Sequence, residues 1–540
     1  MSDVQPWPVE DGTMQQLPLT LDLILRRIET VAAELPVISA TPGGGAIRHR
    51  WGEIAVRSRR LMTVLDELGL PVGARIATLA WNSHRHLELF YAVPCSGRIL
   101  HTLNARVGAE RIVGQASACG DSALFIDASL TEVVADHRDR LPRLVVVMDD
   151  GAPVAEAFAD APRYEDLVSA AEPAQRLGPM REQQALCIVH TSGTTGPPRA
   201  VVYSHRSVIL HAFGALTIDN HAVSRGAVAL PLTPMFHLMA WGFPYSVALA
   251  PATLVLAGSD NSAEALSSLI ERERVTLAAG IPTFWVRLID ALEDPARDFS
   301  ALTRVLSGGA ATPRALAERY RAAGVEMVSG WGMTEAGSGT TLRPGADVGE
   351  GSRSPTVRQG APIAGIEMRI VDPEGRELPW DNSAAGELEA RGPWVTSRYL
   401  DDEDANVRAF DDGWLRTGDI ARIDRYGSVE IVDRLKDLIK SGGEWISSVE
   451  LESHLARQRG VAEAAVIAIA DETWGERPLA VVVASAGQDP DPEAIRAALA
   501  SDVPRWWVPE RIELLDELPK TTVGKVDKQR LRERYCAPKV

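Results

Sequence analysis

The chain of 540 residues carries a formal net charge of −17, and 45% of its residues are apolar and 24% are charged. This length is too great for a single core and predicts two or more domains of an ordinary soluble globular protein. The negative charge argues against a general nucleic-acid binder, because the phosphate backbone would repel such a chain.

The four cysteines are far apart and include no C-x-x-C pair, so we expect neither a zinc site nor a disulfide framework; they are Cys95, Cys119, Cys187 and Cys536. This usage fits a reduced cytoplasmic compartment. The acidic N-terminal stretch lacks a basic flank with an apolar core, so no signal peptide is expected. No apolar run approaches the ~20 residues that a bilayer-spanning helix needs.

In the first two thirds of the chain, short apolar runs alternate with helical patterns. Helical spacing after a Thr20 N-cap predicts a helix up to Pro36, a second helix is predicted from about Glu53 to Leu68, and a third contains His86. Buried strands are predicted at residues 75–79, 123–126, 144–147, 186–189, 200–203, 227–232, 252–257, 275–278, 306–310 and 325–330. This alternation predicts α/β layers with largely parallel sheets, in which ligands bind at the carboxyl ends of strands.

Beyond about Pro344 the pattern changes to short strands and turns, at residues 366–371, 387–390, 420–424 and 428–432, which predicts a β-rich subdomain. A smaller α+β unit follows from Asp433. Its predicted helices are residues 448–459, 492–500 and 528–535, and its predicted strands are residues 465–468 and 479–483.

The segment from Thr191 to Arg199 joins two of the predicted strands and holds two glycines, two prolines and four hydroxyl side chains. Glycines allow close backbone approach to a ligand, and N–H groups in such a turn form an anion nest. Arg199 could face phosphate oxygens with its planar fork. The segment is either a polar hairpin turn or a phosphate-binding loop, and it lacks the spacing of the common P-loop.

Seven motifs stand in the order typical of the adenylate-forming superfamily, which contains acyl-CoA synthetases, peptide-synthetase adenylation domains and luciferases. They are the loop Thr191-Ser192-Gly193-Thr194-Thr195-Gly196-Pro197-Pro198-Arg199, Pro234-Met235-Phe236-His237, Ser307-Gly308-Gly309-Ala310, Gly330-Trp331-Gly332-Met333-Thr334-Glu335, Gly413-Trp414-Leu415-Arg416-Thr417-Gly418-Asp419, Asp433-Arg434-Leu435-Lys436-Asp437 and Pro519-Lys520-Thr521-Thr522-Val523-Gly524-Lys525. Over most of its length the chain therefore resembles that superfamily. In the phosphate loop the usual Lys-Gly is replaced by Arg199 and Ala200.

The resemblance implies an α/β fold with a large N-terminal domain of two layered α/β sheets plus a β-rich subdomain, and a small mobile α+β C-terminal domain. The implied adenylation (AMP-binding) domain covers residues 1–433, with the β-rich subdomain from about residue 345. The implied mobile domain covers residues 434–540. Such enzymes are often dimers, which leaves a homodimer as an open alternative to a monomer.

The resemblance also implies ATP, Mg²⁺ and the co-substrate CoA. Glu335 would be the metal ligand, Thr334 would hydrogen-bond a phosphate oxygen, and Lys525 would be the catalytic lysine that the small domain delivers. Read alone, Glu335 is a solvated surface acid and Lys525 a solvated lysine. The implied nucleotide- and CoA-binding residues are Thr191, Ser192, Gly193, Thr194, Thr195, Gly196, Arg199, Gly308, Gly309, Ala310, Gly330, Trp331, Gly332, Met333, Thr334, Asp419, Arg434, Lys436, Ser441, Gly442, Gly443, Glu444 and Lys525.

Within that set, Trp331 would give adenine an apolar stacking face, and Asp419 would accept hydrogen bonds from the ribose hydroxyls. Arg434 would be a second ribose and phosphate contact, or else a surface ion pair with Asp433 or Asp437. Lys436 matches the hinge position of the family. The stretch Ser441-Gly442-Gly443-Glu444 would approach pantetheine in a second domain orientation, or is a plain turn.

The acid is expected to be apolar. Amino-acid-activating relatives carry an Asp where this chain has His237, and a mostly neutral imidazole would not pair with an α-amino group. The implied substrate residues are His237, Trp241, Gly308 and Gly332, with His237 also among the catalytic candidates; core packing would explain some of the aromatic residues nearby. Residues 441–448 resemble medium- and long-chain fatty acyl-CoA synthetases in particular.

The sequence therefore predicts an AMP-forming acid–CoA ligase, which makes an acyl-adenylate and transfers the acyl group to CoA. Its partners would be a small carboxylic acid, ATP and CoA, with no nucleic acid and no transmembrane segment. The alternatives are an acyl-AMP ligase that loads a separate carrier protein, an aryl or short-chain acid–CoA ligase, and a regulatory protein that holds adenylate without transferring it.

Overall fold

The computed structural model describes residues 14–191, 198–340, 357–442, 444–485, 487–521 and 526–536. The strands are β1 (Pro36–Ala40), β2 (Ala46–Arg50), β3 (Arg75–Leu79), β4 (Ile99–Thr102), β5 (Ala123–Asp127), β6 (Leu144–Met148), β7 (Ala185–His190), β8 (Ala200–Ser204), β9 (Val228–Pro231), β10 (Thr253–Leu256), β11 (Leu277–Gly280), β12 (Arg304–Gly308), β13 (Glu326–Gly330), β14 (Gly332–Met333), β15 (Gly337–Ser338), β16 (Glu367–Val371), β17 (Gly386–Arg391), β18 (Phe410–Asp411), β19 (Trp414–Ile423), β20 (Val429–Arg434), β21 (Ile439–Ser441), β22 (Glu444–Ile446), β23 (Val461–Asp471), β24 (Gly475–Ala484) and β25 (Arg511–Leu515).

The helices are α1 (Asp22–Glu29), α2 (Trp51–Glu67), α3 (His84–Cys95), α4 (Ala109–Cys119), α5 (Thr131–Val134), α6 (Tyr164–Ala170), α7 (His205–Ala215), α8 (Phe243–Leu249), α9 (Ala263–Arg272), α10 (Pro282–Leu292), α11 (Arg314–Ala322), α12 (Glu403–Ala409), α13 (Ser448–Leu455), α14 (Pro492–Asp502) and α15 (Lys528–Tyr535). In the part of the chain that the structure describes, none of these helices has both the length and the apolar character needed to cross a bilayer.

Two large sheets form the first part of the molecule. One has the strand order β13-β12-β11-β9-β10-β1-β2 and the other β6-β5-β3-β4-β7-β8. In each sheet the pairs are parallel except the last, which is an antiparallel hairpin at one edge. One apolar core contains residues of both sheets together with α1, α2, α3, α7 and α8. The predicted layered α/β fold is thereby confirmed.

The remaining sheets are mixed or antiparallel. The third has the order β16-β17-β19-β18 with β20 beside β19, and the fourth has the order β22-β21-β24-β23 with β25 beside β24. Helices α13 and α15 contact β23, so the fourth sheet belongs to an α+β unit. The predicted β-rich subdomain and small α+β unit are confirmed, whereas the boundary between residues 433 and 434 stays a prediction.

The first helix differs from its prediction. It ends at Glu29, and its N-cap is Leu21, because the Thr20 hydroxyl bonds to the Asp22 carboxylate instead of a backbone N–H. The apolar residues beyond Glu29 do not continue the helical face. They lead into β1, which pairs in parallel with β10.

Local sequence explains how several elements that border the site begin and end. Helix α7 starts at a capping box, in which the Ser204 and Ser207 hydroxyls accept each other's backbone N–H. Helix α4 ends at Cys119 because Gly120 adopts a left-handed φ of 62°, a conformation that glycine takes without a Cβ penalty.

Candidate active site

The glycine turns predicted after two strands of the large sheet lie side by side. Gly308 ends β12 and Gly330 ends β13, and these two residues are paired in the parallel register. Gly309 follows with φ of 78°, so the backbone turns away there, and Ala310 lies beside it at the surface. The carboxyl ends of these strands therefore meet at one edge of the sheet, as an α/β ligand site requires.

The next turn is a two-strand hairpin, β14–β15, which holds Thr334 and Glu335. A Cβ on Gly332 would lie 2.3 Å from the carbonyl oxygen of Gly337, so only glycine fits there. The Thr334 carbonyl accepts a hydrogen bond from the Tyr203 hydroxyl, which comes from β8 in the other large sheet. This bond fixes the turn against the second sheet.

Glu335 is only 7% exposed, so the surface-acid reading is wrong. The Tyr399 hydroxyl donates a 2.7 Å hydrogen bond to Glu335 Oε1. Burial raises the pKa of the Glu335 carboxyl, against the opposing effects of that hydrogen bond and of the Arg434 and Arg199 charges. A buried carboxyl group with a shifted pKa and two guanidinium groups acting on it marks a candidate binding site for a charged ligand. The assignment of Glu335 as the Mg²⁺ ligand stays a prediction.

Arg199 lies at the base of the predicted phosphate loop. The Thr191 N–H donates to the Arg199 carbonyl at 2.9 Å, and the Arg199 N–H donates to the Thr191 hydroxyl at 3.0 Å. The Arg199 guanidinium lies 5.1 Å from the ring centroid of Tyr399, and its Nε is 3.4 Å from the Asp402 carboxylate. Residues 192–197, which include Ser192, Gly193, Thr194, Thr195 and Gly196, are outside the described residues.

A second polar cluster surrounds Asp419. The Trp331 indole N–H donates to Asp419 Oδ2 at 2.7 Å, and Arg434 Nε lies 2.6 Å from Asp419 Oδ1. Arg434 therefore forms a side-chain ion pair with Asp419, while the nearby Asp437 and Asp433 also raise its pKa. Both partners of Asp419 belong to predicted nucleotide-binding motifs, so the structure brings three of these residues together. Adenine stacking on Trp331 and ribose contacts at Asp419 stay predictions.

Two of the predicted substrate residues, His237 and Trp241, belong to one short segment of the chain. His237 precedes the 3-10 segment Leu238–Gly242, in which Met239, Ala240 and Trp241 all have positive φ, of 49°, 50° and 56°. Such backbone angles are unfavourable for residues other than glycine. The result is that the Trp241 ring lies over Gly308, where a Cβ would approach it to 3.0 Å.

A small apolar cavity adjoins the Thr334–Glu335 turn. It is lined by Tyr203, Ser207, Val208, His211, Met239, Gly242, Tyr245, Gly337 and Trp394. His211 Nε2 accepts a hydrogen bond from the Ser338 N–H, and burial lowers the pKa of His211 to about 4. The imidazole is therefore neutral at pH 7, and the lining carries no charged side chain.

The predicted pantetheine segment lies in the fourth sheet. Ser441 Oγ accepts from Arg477, and the Gly442 N–H donates to the Trp474 carbonyl at 2.8 Å. Gly442 has φ of 61°, and a Cβ there would lie 2.8 Å from the Trp474 ring. Glu444 begins β22 and is exposed. Gly443 and Lys525 are outside the described residues, and the hinge role of Lys436, which follows β20, stays a prediction.

Sequence reasoning missed Tyr203, Tyr399 and Asp402. Tyr399 is 64 residues from the Glu335 carboxylate that it contacts, and no motif surrounds it. Tyr203 lay inside an apolar run and was assigned only to a strand. Asp402 is in an acidic stretch that reads as solvated surface, so no local signal identifies it.

The fold and this clustering of phosphate-loop, acidic and guanidinium groups define an adenylate-forming enzyme. The model of the AMP-binding enzyme family matches residues 28–400, and that of the AMP-binding enzyme C-terminal domain matches residues 450–525. The chain therefore belongs to the AMP-binding enzyme family. It is an acid–CoA ligase that forms AMP, as its curated relatives indicate.

Among those relatives, the 3-methylmercaptopropionyl-CoA ligase of Ruegeria pomeroyi is 39% identical over 97% of this chain and 98% of its own length. The long-chain-fatty-acid–CoA ligase of Thermus thermophilus is 40% identical over 97% of both chains. The crystal structure of ATP-bound MatB from Rhodopseudomonas palustris superposes with a TM-score of 0.82 at 25% identity, covering 96% of this chain and 99% of MatB.

Proposed function

We propose that the protein activates an apolar carboxylic acid, a fatty acid in the first place, with ATP and then transfers the acyl group to CoA. The acid carboxylate would attack the α-phosphate of ATP, forming acyl-AMP and releasing pyrophosphate. The CoA thiolate would then attack the acyl carbonyl and release AMP. The observation that carries the substrate class is the uncharged cavity beside the Thr334–Glu335 turn.

The charges at the site suit the first step. Bringing a carboxylate to a polyphosphate joins two anions, so cations must offset the charge that develops at the reacting phosphate. Arg199 and Arg434 are positioned near Glu335 for this task. Mg²⁺, when bound, would neutralise further phosphate charge, and Glu335 is the hard oxygen ligand that would hold it. We propose that Lys525 supplies a further positive charge at the reacting phosphate.

The cavity suits an apolar tail. Every lining side chain is uncharged at pH 7, and the one imidazole already has its hydrogen bond from Ser338. A carboxylate or ammonium at the far end of an acid would lose its hydration there without a partner.

The test uses a panel of acids from acetate to palmitate together with benzoate. Exchange of labelled pyrophosphate into ATP reports the first step, and CoA-dependent AMP release reports the second. We expect the highest kcat/KM with straight-chain acids of medium or greater length. No exchange with any acid would contradict the proposed first step, and equal turnover with a carrier protein in place of CoA would contradict the acceptor.

Filling the cavity gives a sharper test of the substrate class. Val208 lines the cavity and is 5% exposed, whereas Val286 is 54% exposed on α10. Val208→Phe should shift the preferred acid to a shorter chain by at least tenfold in relative kcat/KM, and Val286→Phe should leave the preference unchanged. Because overpacking costs ~1–3 kcal/mol, the melting temperature is measured alongside. An unchanged preference in a folded Val208→Phe variant would place the acid elsewhere.

An aryl acid is the second candidate. Trp394 and His211 form an edge-to-face pair with ring centroids 5.9 Å apart, which gives the cavity an aromatic wall. Aromatic pairs favour a further ring in offset or edge geometry. A kcat/KM for benzoate above that for the straight-chain acids would select this alternative.

The role of Lys525 is tested separately from the cavity. Lys525→Ala should abolish adenylation and largely spare thioester formation from supplied acyl-AMP, because the cation acts only in the first step. Equal loss in both steps would refute this role.

A further inference from the structure

Three side chains of types that bind transition metals meet at the sheet with the order β6-β5-β3-β4-β7-β8, next to the first residue of the predicted phosphate loop. His101 lies in β4, Cys119 is the last residue of α4, and His190 is the last residue of β7. Each offers one ligand atom, and the three atoms lie within 4.8 Å of one another. Cys119 Sγ is 3.7 Å from His190 Nε2, and the two imidazole rings have centroids 5.1 Å apart.

His101 is held in the orientation that a metal ligand needs. Its Nδ1 lies 2.8 and 3.0 Å from the two carboxylate oxygens of Asp121, and both side chains have 0% exposure. Against the effect of burial, the hydrogen bond to Asp121 raises the pKa of His101 to about 9, so a metal ion would displace the Nε2 proton on binding. The carboxylate on Nδ1 would then keep the remaining proton there and direct the Nε2 lone pair to the metal. His101 Nε2 is buried and has no hydrogen-bond partner. A buried polar atom without a partner is costly, so its position in the cluster points to a missing ligand.

We propose that His101 Nε2, Cys119 Sγ and His190 Nε2 bind one Zn²⁺ ion, with Asp121 as the residue that positions His101. Zinc accepts mixed nitrogen and sulfur ligands in tetrahedral geometry. Bond lengths of ~2.3 Å to sulfur and ~2.05 Å to nitrogen place these two atoms ~3.6 Å apart around a tetrahedral ion. The observed sulfur–nitrogen distance of 3.7 Å agrees with this value. Water would fill the fourth position.

The ion would connect three elements to the base of the phosphate-loop hairpin. His190 pairs with Ala200 across β7 and β8 and directly precedes Thr191, which in turn bonds to Arg199. No step of the reaction is assigned to the ion. Its expected effect is to stabilise the folded state, because a ligand that binds only the native protein shifts the folding equilibrium.

The test is zinc binding to the full-length enzyme, measured as metal content after dialysis and as affinity in competition with a chromophoric chelator. We expect one equivalent of zinc per chain and, after replacement by Co²⁺, a thiolate-to-cobalt charge-transfer absorption. Cys119→Ser and His190→Gln should each weaken binding at least 100-fold, and Asp121→Asn by about 10- to 100-fold. Cys187→Ser and Cys536→Ser are the matched controls, one buried and one exposed, and should bind zinc like the parent.

Folding is followed independently of metal content. Zinc should raise the melting temperature of the parent and of both control variants, and should leave that of a folded Cys119→Ser variant unchanged. Two results would overturn the proposal. One is the absence of a stoichiometric ion from the parent, and the other is equal zinc affinity of the parent and the Cys119→Ser variant, which would indicate an adventitious surface ion only.

Discussion

Replacing Gly332 by alanine should disrupt the turn that holds Glu335 while leaving the rest of the fold intact. The added Cβ would lie 2.3 Å from the Gly337 carbonyl oxygen and 3.3 Å from its carbonyl carbon, whereas ordinary contact begins at 3.4 Å. The obstruction is backbone, so a rotamer change cannot relieve it. The two strands of the hairpin must separate by about 1 Å.

That displacement sets the expected magnitude. Gly332 pairs with Ser338, so opening the hairpin moves Thr334 and Glu335 relative to the Tyr399 hydroxyl. Misplacement of a reacting group by ~1 Å costs about 100-fold in rate. Acid-dependent pyrophosphate exchange by Gly332→Ala should therefore fall about 100-fold.

The matched control is Gly114→Ala. Gly114 lies inside α4, and a methyl group added there would have no atom within 4 Å, so its replacement should retain full activity. Alanine in a helix is favoured over glycine by up to ~1 kcal/mol, so the melting temperature should stay level or rise. Exchange by Gly332→Ala within threefold of the parent would refute the claim that this contact positions the turn.

Three further substitutions test the electrostatics. Tyr399→Phe removes a hydrogen bond to a charged group, so the pKa of Glu335 should rise further. The acid limb of the pH profile of kcat/KM should then move up by about one pH unit. An acid limb at the same pH as in the parent would contradict this. Trp331→Phe removes the donor to Asp419 and should lower the free energy of unfolding by about 2 kcal/mol in denaturant titration, while raising KM for ATP. Burial raises the pKa of Asp127 from 3.8 to about 8. The folded state therefore binds this proton more tightly than the unfolded state, and stability is lost as pH rises from about 4 through 8. The melting temperature of Asp127→Asn relative to the parent should increase across that range, and a constant difference would argue against the shift.

The fold was predictable because its signals are local. Strand β3, for example, was predicted with the bounds that it has, since a short apolar run followed by a polar turn identifies a buried strand without knowledge of its neighbours. Strand β1 was missed for the same reason, because Pro36 reads locally as the end of a helix, while the strand depends on pairing with a segment more than 200 residues away.

The site was predictable only where a motif marks it. The residues that hold the motif side chains in place, such as Tyr399 on Glu335, come from distant parts of the chain and have no pattern of their own. The sequence likewise predicted no zinc site, because that prediction rested on the absence of a C-x-x-C pair. A cluster of one cysteine and two histidines becomes visible only when the sheet brings its members together, since Cys119 and His190 are 71 residues apart in the chain.

The connection between the third and fourth sheets has a consequence for catalysis. Strand β20 ends at Arg434 and β21 begins at Ile439, so only residues 435–438 join the two sheets. Such a tether spans at most about 18 Å even when fully extended. Any reorientation of the α+β unit must therefore be a rotation about residues 435–438, limited by the length of this connection. On the proposed mechanism, the lysine that this unit carries would meet the nucleotide in an intramolecular encounter, independent of enzyme dilution.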